Sequence, residues 1–481
     1  MGVILIESYN TSMQPTSIWT QSQLPSLVDL VIMVFYLILI FIFAYQKKRR
    51  NILENPAYEY YVTGLFAKIA GAIALCLVYT LHYGIQDTLG FYISSEAMVN
   101  VLTENPRGYF KLLFDGLNRE ALSAFTYRTG YPWYYNDPNS FYIVRITSIF
   151  TVFGFKNYFT TSILFAWFFF KGYWKLFLLL NKLYPNYRKE FAYAVFFFPS
   201  VMFWGSGILK DAVTLSMTGW FVYSVYFAFV LKEQRFKNII AMLITGYLIM
   251  AIKPYIIVAL VPGAFIWLAW SYIRKNENIL LRVLLGPVTT ILFLAFGVGI
   301  LAIFQRSLGT YGSIDGIINK ALVTYDDHTR AYAYGENFYD LGEFDGTMGN
   351  FFSKAPLAIF TGLFRPLLWE ARNPFMLLAA LENLAFLLLV FVIFWRTGIV
   401  KTIKIAFDEP LVVFALSFAI VFAFGVGISS GNFGALVRLK IPLLPFLAAG
   451  LFTLYRRSTE LKKEKENQES RAFIQARQVL R

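Results

Sequence analysis

The sequence predicts an all-α protein: a polytopic transmembrane helical bundle of about eleven spans, with two long extracytoplasmic loops that contain short amphipathic helices. Three observations predict it. Of 481 residues, 57% are hydrophobic, 19% aromatic and only 15% charged, and the mean hydropathy of +0.55 is far above that of a soluble domain of this length. The apolar residues fall in runs of about the 20 residues that a bilayer core demands. Finally, Lys and Arg cluster at one set of span ends, as in Lys47-Lys48-Arg49-Arg50, while the other ends carry solitary charges.

The first span, Leu27 to Tyr45, stops at the basic cluster Lys47 to Arg50, which places the N-terminus outside. The second, Leu65 to Tyr83, returns outside and opens the first outside loop, residues 84–157, rich in Tyr, Asn, Gly and Pro. Within it Phe141 to Phe155, carrying Arg145, Thr147, Ser148 and Thr151, is too short and too polar to span and reads as an interfacial or re-entrant helix. Six spans follow: Tyr158 to Leu180, Phe191 to Gly205, Ile208 to Val230, Ile239 to Ile252, Tyr255 to Ile273 and Ile279 to Phe304, each inward end marked by basic residues. The second outside loop, residues 305–374, is acidic. Spans Phe375 to Trp395, Pro410 to Ile428 and Leu439 to Tyr455 close the membrane domain, residues 1–455, and leave a basic cytoplasmic tail, 456–481. No internal repeat stands out, which argues against the inverted halves of many transporters.

Lys and Arg number 43 against 29 Asp and Glu, a formal net charge of +14. The excess lies in loops and tail, where anionic membrane lipids account for it, so no nucleic-acid partner is expected. The single Cys76 sits in an apolar run, which excludes a disulfide framework and a Cys-based metal site. The N-terminus lacks a basic segment followed by an apolar core and cleavage site, so no cleaved signal peptide is expected.

The solitary outside charges carry the functional argument. Asp87, in His82-Tyr83-Gly84-Ile85-Gln86-Asp87-Thr88, stands where the second span leaves the membrane; partial desolvation suits it to general-base work, and capping a helix near Thr88 is the structural alternative. Glu96 is a possible second acid. The turn Phe198-Pro199-Ser200 to Trp204-Gly205-Ser206-Gly207 joins two spans with almost no polar loop and leads to Lys210-Asp211, either a phosphate-holding lysine at a cavity mouth or an ion pair pinning the hairpin. Lys253-Pro254 marks another tight outward turn. Arg365 lies in an aromatic stretch with Glu370; its fork suits a diphosphate, and pairing with Glu370 is the alternative. Arg438 and Lys440 enter the last span from the outside, against the retention rule, and argue most strongly for an anionic ligand. Tyr127, Tyr131, Trp133, Tyr134 and Tyr135 offer faces on which sugars stack, or interfacial anchors. Asp326-Asp327-His328 is the one stretch resembling a metal-ligand cluster, and its single His and mobile carboxylates point to a solvated loop. No Walker loop, zinc-protease motif or serine elbow occurs, so neither cofactor nor metal is expected.

At Asp87, at Pro199-Ser200 to Trp204-Gly205-Ser206-Gly207 with Lys210-Asp211, and at Arg438 to Pro442, the chain resembles polytopic bacterial envelope-polysaccharide proteins. It is most similar to the EpsG-like exopolysaccharide polymerases and the wider membrane-embedded GT-C glycosyltransferases. The resemblance covers most of the chain as topology and only these stretches as motif. It implies a bacterial inner-membrane enzyme acting on polyprenyl-diphosphate-linked sugars at the periplasmic face, with Asp87 as base and Lys210, Arg365 and Arg438 holding the leaving diphosphate. The family often pairs two acids and carries a soluble C-terminal domain, whereas here the second acid is open between Glu96 and Asp211 and a short basic tail follows the last span. Two other readings stand beside it: a carrier of lipid-linked saccharides, for which Glu382 is the chief mid-span charge, and a membrane subunit of an envelope assembly whose tail, with Lys462, Lys463, Lys465, Arg471 and Arg477, docks a partner.

Overall fold

The computed structural model describes residues 24–115, 117–273, 313–328, 337–342 and 347–479. Its helices run in order: α1 Leu27–Asn51, α2 Tyr61–Val78, α3 Asp87–Glu104, α4 Pro106–Phe114, α5 Arg119–Leu122, α6 Pro138–Phe153, α7 Tyr158–Leu183, α8 Arg188–Ala192, α9 Pro199–Trp204 and α10 Lys210–Val225. There follow α11 Arg235–Ile252, α12 Pro254–Ile273, α13 Ile314–His328, α14 Met348–Ser353, α15 Ala355–Phe364, α16 Pro374–Thr397, α17 Ile399–Asp408, α18 Pro410–Ser430, α19 Phe433–Leu439 and α20 Leu444–Val479. Among the described residues there is no strand, and one antiparallel bridge joins Phe338 to Asn432. The protein is an all-α, multi-pass membrane protein.

Nine helices among the described residues are long and apolar enough to cross a bilayer. The expected span 279–304 lies outside the described residues. The expected span Phe191 to Gly205 is instead broken into α8, a π-helical turn Tyr193–Phe197 and α9. The cause is Pro199, which has no N–H to donate and holds Phe198 extended, at φ −63° and ψ 125°. The freed Ser200 N–H donates to Glu382 on α16, at 2.8 Å, so the break is satisfied inside protein. The last span also starts earlier than the hydropathy suggests, at Phe433, and bends through a 3-10 turn at Ile441–Leu443.

Elsewhere local chemistry sets the helix starts. Asn105, Asp137 and Asn373 each precede a proline and accept a backbone N–H three residues on, from Gly108, Ser140 and Met376. The expected interfacial stretch at 141–155 is α6, whose buried Arg145 donates to the carbonyls of Leu112, at 2.7 Å, and Asp115 at the end of α4.

The chain divides into two compact units, one taking the chain to Phe168 together with Ser206–Ala212, the other taking Phe169–Gly205 and Val213 onward. In the first unit α3 packs on α6 and is held to the segment 126–137, so the stretch 84–157, expected as a loop, contains a helical subdomain. In the second, small residues bring backbones together: a Cβ on Gly427 of α18 would lie 2.0 Å from the Ala358 carbonyl oxygen of α15, and one on Gly172 of α7 would lie 1.9 Å from that of Ser216 on α10. Lipid tails supply no hydrophobic drive between helices, so such close packing holds the bundle. Around it Trp267, Phe414, Phe418, Phe422 and Phe446 form a chain of stacked and edge-on rings.

Candidate functional site

In the first unit the site begins where α2 ends. A π-helical turn, Tyr79–Tyr83, is closed by Gly84, whose φ of 70° and ψ of −153° suit only glycine. Two residues after Ile85, Asp87 opens α3, half-buried, with the Tyr79 hydroxyl donating to its Oδ2 at 3.5 Å. Gln86 is the N-cap residue, so Asp87 is not the cap of this helix.

The segment 126–137 is strapped along α3 in the opposite direction. Asn100 donates to the Thr129 carbonyl at 3.1 Å, the Trp133 N–H donates to Ser94 Oγ at 2.9 Å, and the Tyr134 hydroxyl donates to the Asp87 carbonyl at 3.4 Å. The Tyr134 ring stacks on Phe91 with centroids 4.4 Å apart. Gly90 makes the fit possible, since a Cβ there would stand 3.1 Å from the Tyr134 hydroxyl. Thus one of the five clustered aromatics is a strut, while Tyr127, Tyr131, Trp133 and Tyr135 stand 95%, 59%, 46% and 47% exposed.

The same segment ends at Asp137, which caps α6 and receives Lys210 Nζ at 3.3 Å. Lys210 is therefore paired with a residue far along the chain as well as preceding Asp211. Burial raises the Asp137 carboxyl, but the Lys210 charge and the Ser140 hydrogen bonds outweigh it and leave the group below the usual aspartate range. Asp211 is buried in the first turn of α10, where the helix dipole favours a carboxylate. Asp87, the aromatic platform and Lys210 thus share one stretch of the first unit, joined through Tyr134 and Asp137.

Glu96 does not join them. Nine residues of α3 carry it roughly 14 Å along the axis and half a revolution away from Asp87. Burial raises its carboxyl, with Lys156 partly offsetting the shift.

The second unit gathers a different set. Arg365 grips Glu370, its Nε lying 2.9 Å from Oε1 and its Nη2 donating to the same oxygen, and Glu370 also accepts the Leu367 N–H at 2.8 Å. The guanidinium lies over the rings of Tyr339 and Phe433, 5.3 and 5.0 Å from their centroids, and those two rings themselves pack together. Lys440, buried, donates to the Arg365 carbonyl at 3.0 Å and to Asn383 Oδ1 at 2.6 Å. Next to Asn383 on α16 is Glu382, the acceptor for Ser200. Arg365 and Lys440 therefore hold the protein together around the loop before α16. Arg438, half-exposed, lies over the Trp204 ring at 5.2 Å. Lys253 is buried over the Tyr255 ring, 5.9 Å from its centroid.

Sequence reasoning missed Asp137, Tyr339, Asn383 and Lys68, the last a lysine only 1% exposed within α2. Asp137-Pro138 carries the local signal of a helix cap and none of a partner for Lys210, and Tyr339 carries no local signal. The adjacent polar pair Glu382-Asn383 inside an apolar span could have flagged the second cluster. The His328 side chain lies outside the described residues, and among those described no group of three or more His, Cys, Asp or Glu could hold a metal ion. The tail continues α20, with Arg457 on Glu409 at 2.6 Å and Lys462 near Glu466 at 3.8 Å; the side chains of Lys465, Arg471 and Arg477 lie outside the described residues. Set against known proteins, the chain matches no family model, no curated protein and no solved structure, so its own residues carry the functional reading.

Proposed function

We propose that this protein is a membrane-embedded glycosyltransferase or polysaccharide polymerase acting on polyprenyl-diphosphate-linked sugars at the extracytoplasmic face of a bacterial inner membrane, with its N-terminus outside and its C-terminus cytoplasmic. The observation that carries the reading is the first unit's juxtaposition of four exposed aromatic rings with Asp87 and Lys210. Sugars present C–H faces that stack on Tyr and Trp, and a lipid-linked diphosphate arrives at the depth where a span ends.

In this reading the acceptor hydroxyl attacks the anomeric carbon of the donor, Asp87 takes the hydroxyl proton, and the bond from that carbon to the diphosphate oxygen breaks with its electron pair leaving on the polyprenyl diphosphate. Lys210 offsets the growing negative charge. Its bond to Asp137 is a half-exposed pair, weak enough at about 0.2–1 kcal/mol for a diphosphate to displace. Arg365 and Lys440 act as framework in the second unit.

The test is Asp87→Asn in membranes supplied with a lipid-linked sugar donor. Product formation should fall by about 100-fold or more at unchanged protein level; undiminished product overturns the base assignment. Trp133→Ala and Tyr131→Ala should weaken acceptor binding while sparing the chemical step. The carrier reading draws on Lys68, Glu382 and Lys440, all buried within spans. Vesicle uptake of a lipid-linked saccharide without bond formation would favour it.

A further inference from the structure

Within the second unit, α17 joins two spans with no loop on either side. One residue, Gly398, separates it from α16, and one, Glu409, separates it from α18. Gly398 stands at φ 79° and ψ 152°, a conformation that favours glycine, and it closes α16 and opens α17 at once. The flanking spans are roughly 36 and 31 Å long, close to the hydrocarbon thickness of about 30 Å, so both ends of α17 sit where spans leave the bilayer core. A helix about 15 Å long, tied at that level at both ends by single residues, cannot project away and return; it runs along the membrane surface.

Its ten residues divide into three faces. At about 100° per residue, the exposed Ile399, Val400, Ile403 and Phe407 fall within one arc of about 100°, and the exposed Lys401, Lys404 and Asp408 within the next arc of about 60°. Thr402 and Ile405, both buried, take the remaining side. The helix packs on α18 and α20, and Trp270 of α12 pins its far end, donating from Nε1 to the Phe407 carbonyl at 2.6 Å.

The same end of the bundle is where α20 departs. Arg396 donates to the Tyr455 hydroxyl at 3.0 Å, and Arg457 Nε is 2.6 Å from Glu409. Along the exposed stretch 396–408, Arg396, Lys401 and Lys404 stand against one acid, Asp408. A bilayer surface supplies both environments within one helix diameter: acyl chains for the apolar arc, and headgroups within reach of the lysine stems beside it.

We propose that α17 is an interfacial helix that binds anionic phospholipid, with Ile399, Val400, Ile403 and Phe407 among the acyl chains and Lys401 and Lys404 on the headgroup phosphates. Lysine meets a phosphate as a point charge, and anionic headgroups concentrate such charges at a membrane surface. Held there, α17 fixes the depth of α16 and α18. The proposal does not rest on the transferase reading, since none of its residues belongs to the Asp87 site.

The test uses the full chain in phosphatidylcholine vesicles with a minor fraction of phosphatidylglycerol. Ile403→Cys is labelled with an NBD fluorophore, the native Cys76 being buried. Phospholipid bearing an acyl-chain nitroxide should quench the label, and aqueous iodide should not. Nitroxide-bearing phosphatidylglycerol should act at about tenfold lower membrane fraction than the phosphatidylcholine analogue, and Lys401→Gln/Lys404→Gln should bring the two together. Lys401→Arg/Lys404→Arg, which keeps the charges, should hold the preference and so controls for folding. Quenching by iodide alone would mean a face in water, and protection from every quencher would mean a face covered by a second copy or another protein; either overturns the proposal. A preference kept in the Gln variant, or missing before substitution, overturns the lysine assignment. Loss of the preference on adding inorganic phosphate at constant ionic strength would mean a free-anion site and would also overturn it.

Discussion

The Arg365–Glu370 pair gives the sharpest quantitative test, because its two roles, framework and ligand site, predict different energetics. The side chains are 17% and 14% exposed, so the pair is largely removed from water. Removing one member of a buried pair strands the other charge, at a cost of about 3–5 kcal/mol. In Glu370→Gln the guanidinium keeps one amide acceptor and the Tyr339 and Phe433 faces, each worth about 0.5–2 kcal/mol, so a loss of about 3 kcal/mol is expected. Arg365→Met strands the carboxylate with the Leu367 N–H as a remaining donor, and about 4 kcal/mol is expected. The double variant strands no charge and should cost little more than Arg365→Met alone, leaving a coupling of about 3 kcal/mol. The assay is apparent unfolding free energy in mixed micelles for the four proteins. Additivity within about 0.5 kcal/mol would refute the framework role and return Arg365 to the list of substrate-holding cations.

Four further outcomes are expected. Asp137→Ala should cost about 1 kcal/mol more than Asp137→Asn, because only the former also loses the α6 cap, as unfolding midpoints would show. Asp137 is held below its unfolded value, so its contribution is present above the ordinary aspartate range and is lost as pH falls through its lower folded value; the gap between wild type and Asp137→Asn should close on acidification. Glu96 has the opposite sign: its folded value is raised, so its ionisation weakens the fold as pH rises, and Glu96→Gln should be more stable than wild type at neutral pH but no more stable well below the ordinary glutamate range. Gly427→Val places side-chain atoms where the Ala358 carbonyl already lies, and should lower stability by about 3 kcal/mol or more in the same assay.

The sequence by itself determined the class of the protein, the places where most spans run and several of the helix starts. Long apolar runs have no stable place in water, and an Asx-Pro pair both caps and pre-sets a helix, so Asp137-Pro138 and Asn373-Pro374 are readable from neighbours alone. It also located the solitary charges, Asp87 and Lys210 among them. Tertiary structure decided what those charges do. That Lys210 meets Asp137, that Arg365 is taken by Glu370 over the Tyr339 and Phe433 rings, and that Lys440 is a buried strut all depend on how distant parts of the chain come together. Hydropathy and charge patterns are local sums and hold no record of such pairings. The broken span at Pro199 belongs between the two: the proline announced the break, but only the arrival of Glu382 from α16 explains how a freed backbone N–H is satisfied within the protein.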